Sequence, residues 1–406
     1  MKYIVMLGDG MADEPLERYG GRTALEAADI PTMDRLARQG RCGRAQTVPL
    51  GMPPGSDTAN LSVMGYDPKI YYSGRSPLEA VSMGVAMGEN DVSFRCNLVN
   101  LSDCESYEAA TMIDYSSDEI SSEESHELIA YLNERMRLEG ATLYAGISYR
   151  HCFVLKNAQT GTILTPPHDI TGKPIAECLP KGRYGQMLLD FQKRSWEILK
   201  DAPMNLERVR RGKKPANSCW FWGEGTKPSL TPYSEKFGLT GGVVSAVDLI
   251  KGLGICAGLQ TPEVKNATGN YDTNFAGKAQ AAMDILKEHD FVYIHVEAPD
   301  ECSHHFDAEK KIYSIEQIDK QILKPLIEHL EGRNEEYAIL LMPDHPTPVR
   351  IGTHVSDPVP YVLYCSAKEL LPHAVGYHEK AMAEFEVVKG HCLLEQLAAC
   401  GSDGKK

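Results

Sequence analysis

Three short apolar runs, Tyr3–Leu7, Phe291–Val296 and Tyr337–Met342, each lead into acidic or histidine residues. The first is followed by Gly8-Asp9-Gly10, the second by Asp300-Glu301-Cys302-Ser303-His304, the third by Asp344-His345. Runs of this length without polar alternation read as strands buried on both faces, the pattern of a parallel sheet. In an open parallel sheet the carboxyl ends of the strands lie side by side, and ligands bind in the crevice outside them. Groups from opposite ends of the sequence are thereby expected at one edge.

Asp300 and His304 stand at i and i+4, which on a helix places both on one face, able to hold a metal ion together. Asp9, Asp344, His345 and His354 extend the set to three carboxylates and three imidazoles. Six such groups divide into two triads, which suits two divalent ions rather than one. Mn²⁺ is favoured by this mixed donor set, with Zn²⁺ or Mg²⁺ as alternatives. Ser56 follows the rigid Pro53-Pro54-Gly55 segment and opens a helical stretch, where an N-cap belongs. The ordinary use of such a serine is capping. The same location surrounds its hydroxyl with free N–H donors and the positive helix end, which favour an alkoxide or a phosphate ester.

Composition narrows the partners. A formal charge of −14 excludes non-specific nucleic-acid binding, which needs clustered Lys and Arg. An anionic small molecule would require a local basic pocket. Eleven cysteines are scattered singly, as in proteins of a reducing compartment. The chain enters its first strand with no basic leader, and no apolar run approaches the roughly 18 residues of a bilayer span. The expectation is a soluble cytoplasmic protein that binds neither nucleic acid nor membrane, with its oligomeric state left open. Between residues 86 and 205 strands and helices mix in an α+β manner, and strict strand–helix alternation resumes afterwards. We therefore expect an α/β core over 1–85 and 206–406, a mostly parallel sheet flanked by helices, with a smaller α+β domain inserted at 86–205.

The motifs Leu7-Gly8-Asp9-Gly10-Met11-Ala12-Asp13, Gly55-Ser56-Asp57-Thr58-Ala59-Asn60, Gly65-Tyr66-Asp67-Pro68, Phe94-Arg95-Cys96-Asn97, Ala267-Thr268-Gly269, Asp344-His345 and Asp357-Pro358-Val359-Pro360 occur in this order. Together they resemble the archaeal-type, cofactor-independent phosphoglycerate mutases of the alkaline phosphatase superfamily, nearly end to end. The resemblance implies an alkaline-phosphatase-like core and a two-metal phosphotransferase acting on a small phosphorylated metabolite. By similarity, Asp9, Asp344 and His345 hold one ion with Ser56, and Asp300, His304 and His354 hold the other. Ser56 is then the catalytic nucleophile, carrying a phosphoserine intermediate, while the inserted domain closes over the substrate. Arg95, Asn97, Arg150 and His151 are the expected substrate contacts from the insert.

Some surroundings depart from the family pattern. Pro53 stands where an Arg precedes the nucleophile, Ala110–Tyr115 replaces an Arg-containing stretch, and Pro346 and Val355 occupy positions where Ser is usual. These changes leave the transfer machinery intact and the acceptor open. Interconversion of 3-phosphoglycerate and 2-phosphoglycerate is the main expectation. A homoserine kinase-like phosphotransferase is the alternative, followed by a metal-dependent phosphatase and a non-catalytic metal- or phosphate-binding module.

Overall fold

In a computed structural model, which describes residues 1–136 and 138–404, the chain divides into two compact units. The first comprises Met1–Tyr72 with Ser229–Lys406, and the second comprises Ser73–Pro228.

A seven-stranded sheet forms the first unit, in the order Gly241–Val244, Phe291–Val296, Lys2–Gly8, Tyr337–Met342, Val359–Cys365, Arg41–Gln46 and Val387–Lys389. The first four strands are parallel, and Val359–Cys365 runs against both of its neighbours. The apolar runs form the centre of this sheet because they have no solvent face: Ile4, Val5, Met6 and Leu7 are wholly buried, as are Val292, Ile294, Ile339 and Leu341. Each such side chain contributes roughly 1.5–3 kcal/mol by leaving water. On one face Ile4, Met6, Val292, Ile294, Ile339 and Leu341 pack with Leu36, Ile285 and Ile315. Those three come from helices Pro31–Gln39, Phe275–Glu288 and Ala308–Gln317. Alternation turns Phe291, Tyr293 and His295 to the opposite face, where Tyr233 sits 5.0 Å from Phe291.

Register decides where the site is built. Gly8 pairs with Val296, and Leu7 pairs with Met342. The central strand and its two parallel neighbours thus end level, and Asp9, Asp300 and Asp344 leave the sheet from one edge.

The second unit is α+β. Its sheet runs Met112–Asp114, Val92–Leu101, Arg150–Leu155, Ala141–Ile147, with Ser218–Thr226 also paired to Val92–Leu101, all antiparallel. Helices Ser122–Arg135 and Gly185–Leu199 cover it, with Phe94, Phe153, Phe191 and Phe221 in the shared core. This unit is wider than the insert expected at 86–205. Strand Ser218–Thr226, read from sequence as part of the returning core, joins the antiparallel sheet along Val92–Val99 instead. Helix Ser76–Ser82 also belongs to this unit, so its limits fall at Ser73 and Pro228. Among the described residues no helix is long and apolar enough to cross a membrane.

Candidate active site

Helix Ser56–Val63 lies on the face to which Tyr293 and His295 turn. Gly55 is its N-cap, so Ser56 is the first helical residue rather than the cap itself. The Ser56 hydroxyl is left unspent on capping. It lies 3.2 Å from His345 Nε2. Four residues on, Asn60 is fully buried, and its amide nitrogen donates to the Ser56 carbonyl (2.9 Å) and to Asp344 Oδ2 (2.8 Å). Its amide oxygen accepts from the Tyr293 hydroxyl at 2.7 Å. Asn60 therefore ties the helix that starts at Ser56, the loop that carries Asp344 and a sheet strand together.

Asp344 is wholly buried, and its Oδ1 accepts the backbone N–H groups of Gly10 (3.2 Å) and His345 (2.9 Å). Gly10 is at φ 61°, and a Cβ there would stand 2.7 Å from Asp300 Oδ1. Only glycine combines that left-handed turn with so close a carboxylate.

Two hydrogen bonds fix how the imidazoles present themselves. The Thr347 hydroxyl donates to Asp300 Oδ1, so its lone pair is left to accept the Nδ1–H of His345, 3.2 Å away. The Nε2 of His345 is then an unprotonated donor, 3.4 Å from Asp344 Oδ2 and 3.6 Å from Asp9 Oδ1. Likewise the Gly352 carbonyl, 2.9 Å from His304 Nδ1, holds the proton on that nitrogen and turns Nε2 inward. His304 Nε2 lies 3.0 Å from Asp300 Oδ2 and 3.0 Å from His354 Nε2. His354 Nε2 is 3.4 Å from Asp300 Oδ1, and its ring stacks on His345 at 4.0 Å.

Asp9 is held by a residue that sequence reasoning passed over. The wholly buried His295 places Nε2 2.9 Å from Asp9 Oδ2, with Ser245 Oγ 3.2 Å from its Nδ1. Burial, then the nearby Lys278 charge, pushes the His295 pKa down to about 3, so the ring is neutral and orients the carboxylate. Asp9 Oδ1 remains buried with no hydrogen-bond partner. Burial, followed by the negative fields of Asp344 and Asp300, raises the Asp9 pKa well above the carboxylate range. In the other half of the cluster, hydrogen bonding to Asp300 raises His304 to about 9. Asp300 is pulled well below its ordinary value by His304 and His354, against the opposing effect of its burial.

An orphaned carboxylate oxygen, crowded carboxylates and convergent imidazole lone pairs form a donor set suited to cations. Among the described residues, two groups bring one ligand atom from each member within 4.8 Å: Asp300 with His304 and His354, and Asp9 with Asp300 and His345. Asp300 belongs to both. The resemblance had placed it in one triad, with Asp344 completing the other.

The residues expected in the second unit divide sharply. Val92–Leu101 alternates apolar Val92, Phe94, Cys96 and Leu98 with polar Ser93, Arg95 and Asn97, yet all ten residues are buried, so its polar face is covered as well. Asn97 donates to the Tyr115 carbonyl (3.1 Å) and accepts from Trp222 Nε1 (2.9 Å). His151 accepts the Gly146 N–H at 3.1 Å, and burial lowers its pKa to about 3. Both are built into the interior of the unit. Arg95 lies over the Trp222 ring, 3.9 Å from its centroid, with Nε 2.9 Å from Glu79 Oε2. The angle there is too poor for a hydrogen bond. The other Glu79 oxygen is 3.1 Å from Arg75 Nε, and the exposed Arg150 adds a third positive field on the same carboxylate. Three guanidinium groups thus act on one half-buried acid, a local excess of positive charge in an acidic protein.

Residues 37–205 match the family model described as 2,3-bisphosphoglycerate-independent phosphoglycerate mutase, and residues 181–348 match that of type I phosphodiesterase / nucleotide pyrophosphatase. The 2,3-bisphosphoglycerate-independent phosphoglycerate mutase of Methanosarcina barkeri is 48% identical over 382 residues, covering 94% of each chain. Its namesake from Methanothrix thermoacetophila is 50% identical over 363 residues, covering 89% of this chain and 90% of the relative. A solved Pyrococcus horikoshii protein superposes with a TM-score of 0.82 at 26% identity, covering 99% of this chain and 98% of that one. The homoserine-kinase alternative gains no support from these relatives. A chain with this sheet edge, and with such similarity over nearly its whole length, belongs to the family of 2,3-bisphosphoglycerate-independent phosphoglycerate mutases.

Proposed function

We propose that this protein interconverts 3-phosphoglycerate and 2-phosphoglycerate through a phosphoserine formed on Ser56. The observation that carries the reading is the Ser56 hydroxyl, at a helix N-terminus, 3.2 Å from His345 Nε2 within the Asp/His cluster. Asp9, Asp344 and His345 would hold one divalent ion with Ser56, and Asp300, His304 and His354 the other. Mn²⁺ suits this donor set best. Bound there, the ions would neutralise the phosphoryl oxygens and favour ionisation of the serine hydroxyl.

The chain's own groups account for the rest. Asn60 fixes the turn that presents Ser56, and the N–H groups of the helix N-terminus favour the dianionic ester. In the first half-reaction the Ser56 oxygen bonds to phosphorus, the bond from phosphorus to the substrate's C3 oxygen breaks, and the freed alkoxide takes a proton. In the second, the neighbouring C2 hydroxyl loses its proton and attacks the phosphoserine, releasing Ser56. The substrate carboxylate calls for cationic partners, and we assign Arg95 and Arg150, with Arg75, to this role. Asn97 and His151, the other two expected contacts, are hydrogen-bonded within the second unit, to Tyr115 and Trp222 and to Gly146. All eleven cysteines are free, which agrees with a cytoplasmic location.

The test is direct. Mn²⁺-loaded protein should convert 3-phosphoglycerate to 2-phosphoglycerate in an enolase-coupled assay. No turnover there, together with ATP-dependent phosphorylation of homoserine, would overturn the reading.

A further inference from the structure

Behind the ligand cluster lies an ion pair that the proposed chemistry does not use. Lys311 Nζ and Asp13 Oδ2 are 2.9 Å apart, and neither side chain has any exposed surface. Burying two charges is expensive, and an apolar pair of the same volume often stabilises a fold as well or better. The pair therefore needs a reason beyond stability. Its hydrogen bonds supply one.

Lys311 Nζ also donates to the carbonyls of Ala12 (3.3 Å) and Thr347 (2.9 Å). Asp13 Oδ1 accepts the backbone N–H groups of Glu14 (2.8 Å) and Val349 (3.2 Å). The Asp13 N–H is in turn received by Glu379 Oε1 at 2.9 Å, and the Thr23 hydroxyl holds the other Glu379 oxygen at 2.6 Å. The segment from Asp9 to Asp13 and the segment from Asp344 to Val349 are thus crossed over one ammonium and one carboxylate. A backbone bond from Thr347 N to the Ala12 carbonyl (3.2 Å) joins them directly. The Thr347 side chain reaches Asp300 Oδ1 and His345 Nδ1. Lys311 itself stands on helix Ala308–Gln317, the helix after the one that carries Asp300 and His304.

We infer that Lys311 and Asp13 are positioning residues that set the spacing of the three ligand-bearing segments, and so tune affinity for the divalent ions. The inference rests on the metal-centre reading given above. A charged pair suits the task because its hydrogen bonds are directional, whereas an apolar pair would allow the segments to slide.

The experiment uses the full chain with both positions changed, Lys311→Met with Asp13→Asn. This removes both charges and keeps the amide oxygen that accepts from Glu14 and Val349. Far-UV circular dichroism and thermal melting report folding, and Mn²⁺ titration followed by electron paramagnetic resonance reports affinity. As a control, Arg208→Met with Glu124→Gln removes another largely buried pair, one that belongs to the second unit and bonds no residue of the cluster. The expected result is a folded double variant whose Mn²⁺ affinity falls roughly 10–100-fold, with affinity unchanged in the control. A folded variant that binds Mn²⁺ like the parent overturns the inference, as does an equal loss in the control. If the parent chain binds no Mn²⁺, the metal-centre reading itself fails, and the inference with it. Should the double variant not fold, Asp13→Asn alone carries the same test, with an expected loss of several-fold.

Discussion

His304 Nε2 and His354 Nε2 stand 3.0 Å apart, and each also faces the carboxylate of Asp300. With its other nitrogen against the Gly352 carbonyl, His304 has no use for that inward lone pair except a proton or a cation. Replacing His304 by Ala should reduce bound Mn²⁺ from two ions to one and lower kcat by roughly 100-fold or more. Metal analysis of the purified variant beside steady-state kinetics checks both. Full metal content with normal turnover would refute the assignment.

Ser56→Ala should separate binding from chemistry. The hydroxyl is not used for capping, so the helix should keep its stability, and Asp9, Asp344 and His345 remain to hold an ion. Mutase activity should fall by roughly four orders of magnitude or more. Acid-quenched protein should carry phosphate on Ser56 in the parent and none in the variant, read by mass spectrometry.

Arg150 offers a test of substrate recognition at little cost to the fold, because its side chain is exposed. Loss of a charge-assisted contact to phosphate or carboxylate is worth about 1.5–3 kcal/mol. Arg150→Gln should therefore raise KM for 3-phosphoglycerate by roughly 10-fold or more, with unchanged metal content. An unchanged KM would remove Arg150 from the substrate contacts.

The buried imidazole of His151 makes stability fall in acid. Its pKa is about 3 in the folded chain, against an ordinary 6.5, because burial and then the nearby His126 disfavour the charged form. On acidification the unfolded chain takes up this proton first. The contribution is complete above about pH 6.5 and is lost between about 6.5 and 3, at roughly 1.4 kcal/mol per pH unit. Urea unfolding followed at several pH values should show a shallower acid slope for His151→Gln than for the parent. Equal slopes would contradict this.

Much of this site was legible because apolar runs mark strands and strand ends collect ligands. Asp9, Asp300 and Asp344 could be placed together from sequence, and the aligned pairs Gly8–Val296 and Leu7–Met342 bring them there. What escaped was of two kinds. His295, Asn60 and Lys311 are polar residues sunk in apolar surroundings, where no periodicity announces which neighbour they meet. A histidine inside the run Phe291–Val296 was itself a signal, since a wholly buried imidazole needs partners. The second kind concerns partners chosen over long range. Ser218–Thr226 has the composition of a core strand, and only its pairing with Val92–Leu101 assigns it to the second unit. Asn97 and His151 have the chemistry of ligand contacts, and nothing in the sequence announces that they also bond Tyr115, Trp222 and Gly146.

The strand Val359–Cys365 runs against the rest of its sheet. Its first residue therefore returns to the edge that Tyr337–Met342 has just left. The connection between them starts and finishes at one place, like a handle fixed at both ends, and carries Asp344, His345 and His354 along it. Within the handle the Val355 N–H donates to the Pro346 carbonyl at 3.0 Å, so the neighbours of His354 and His345 are tied to each other directly and not through the residues between Pro348 and Thr353. The distance between His345 and His354 is thus a local quantity, set by one backbone hydrogen bond inside the loop and not by the sheet.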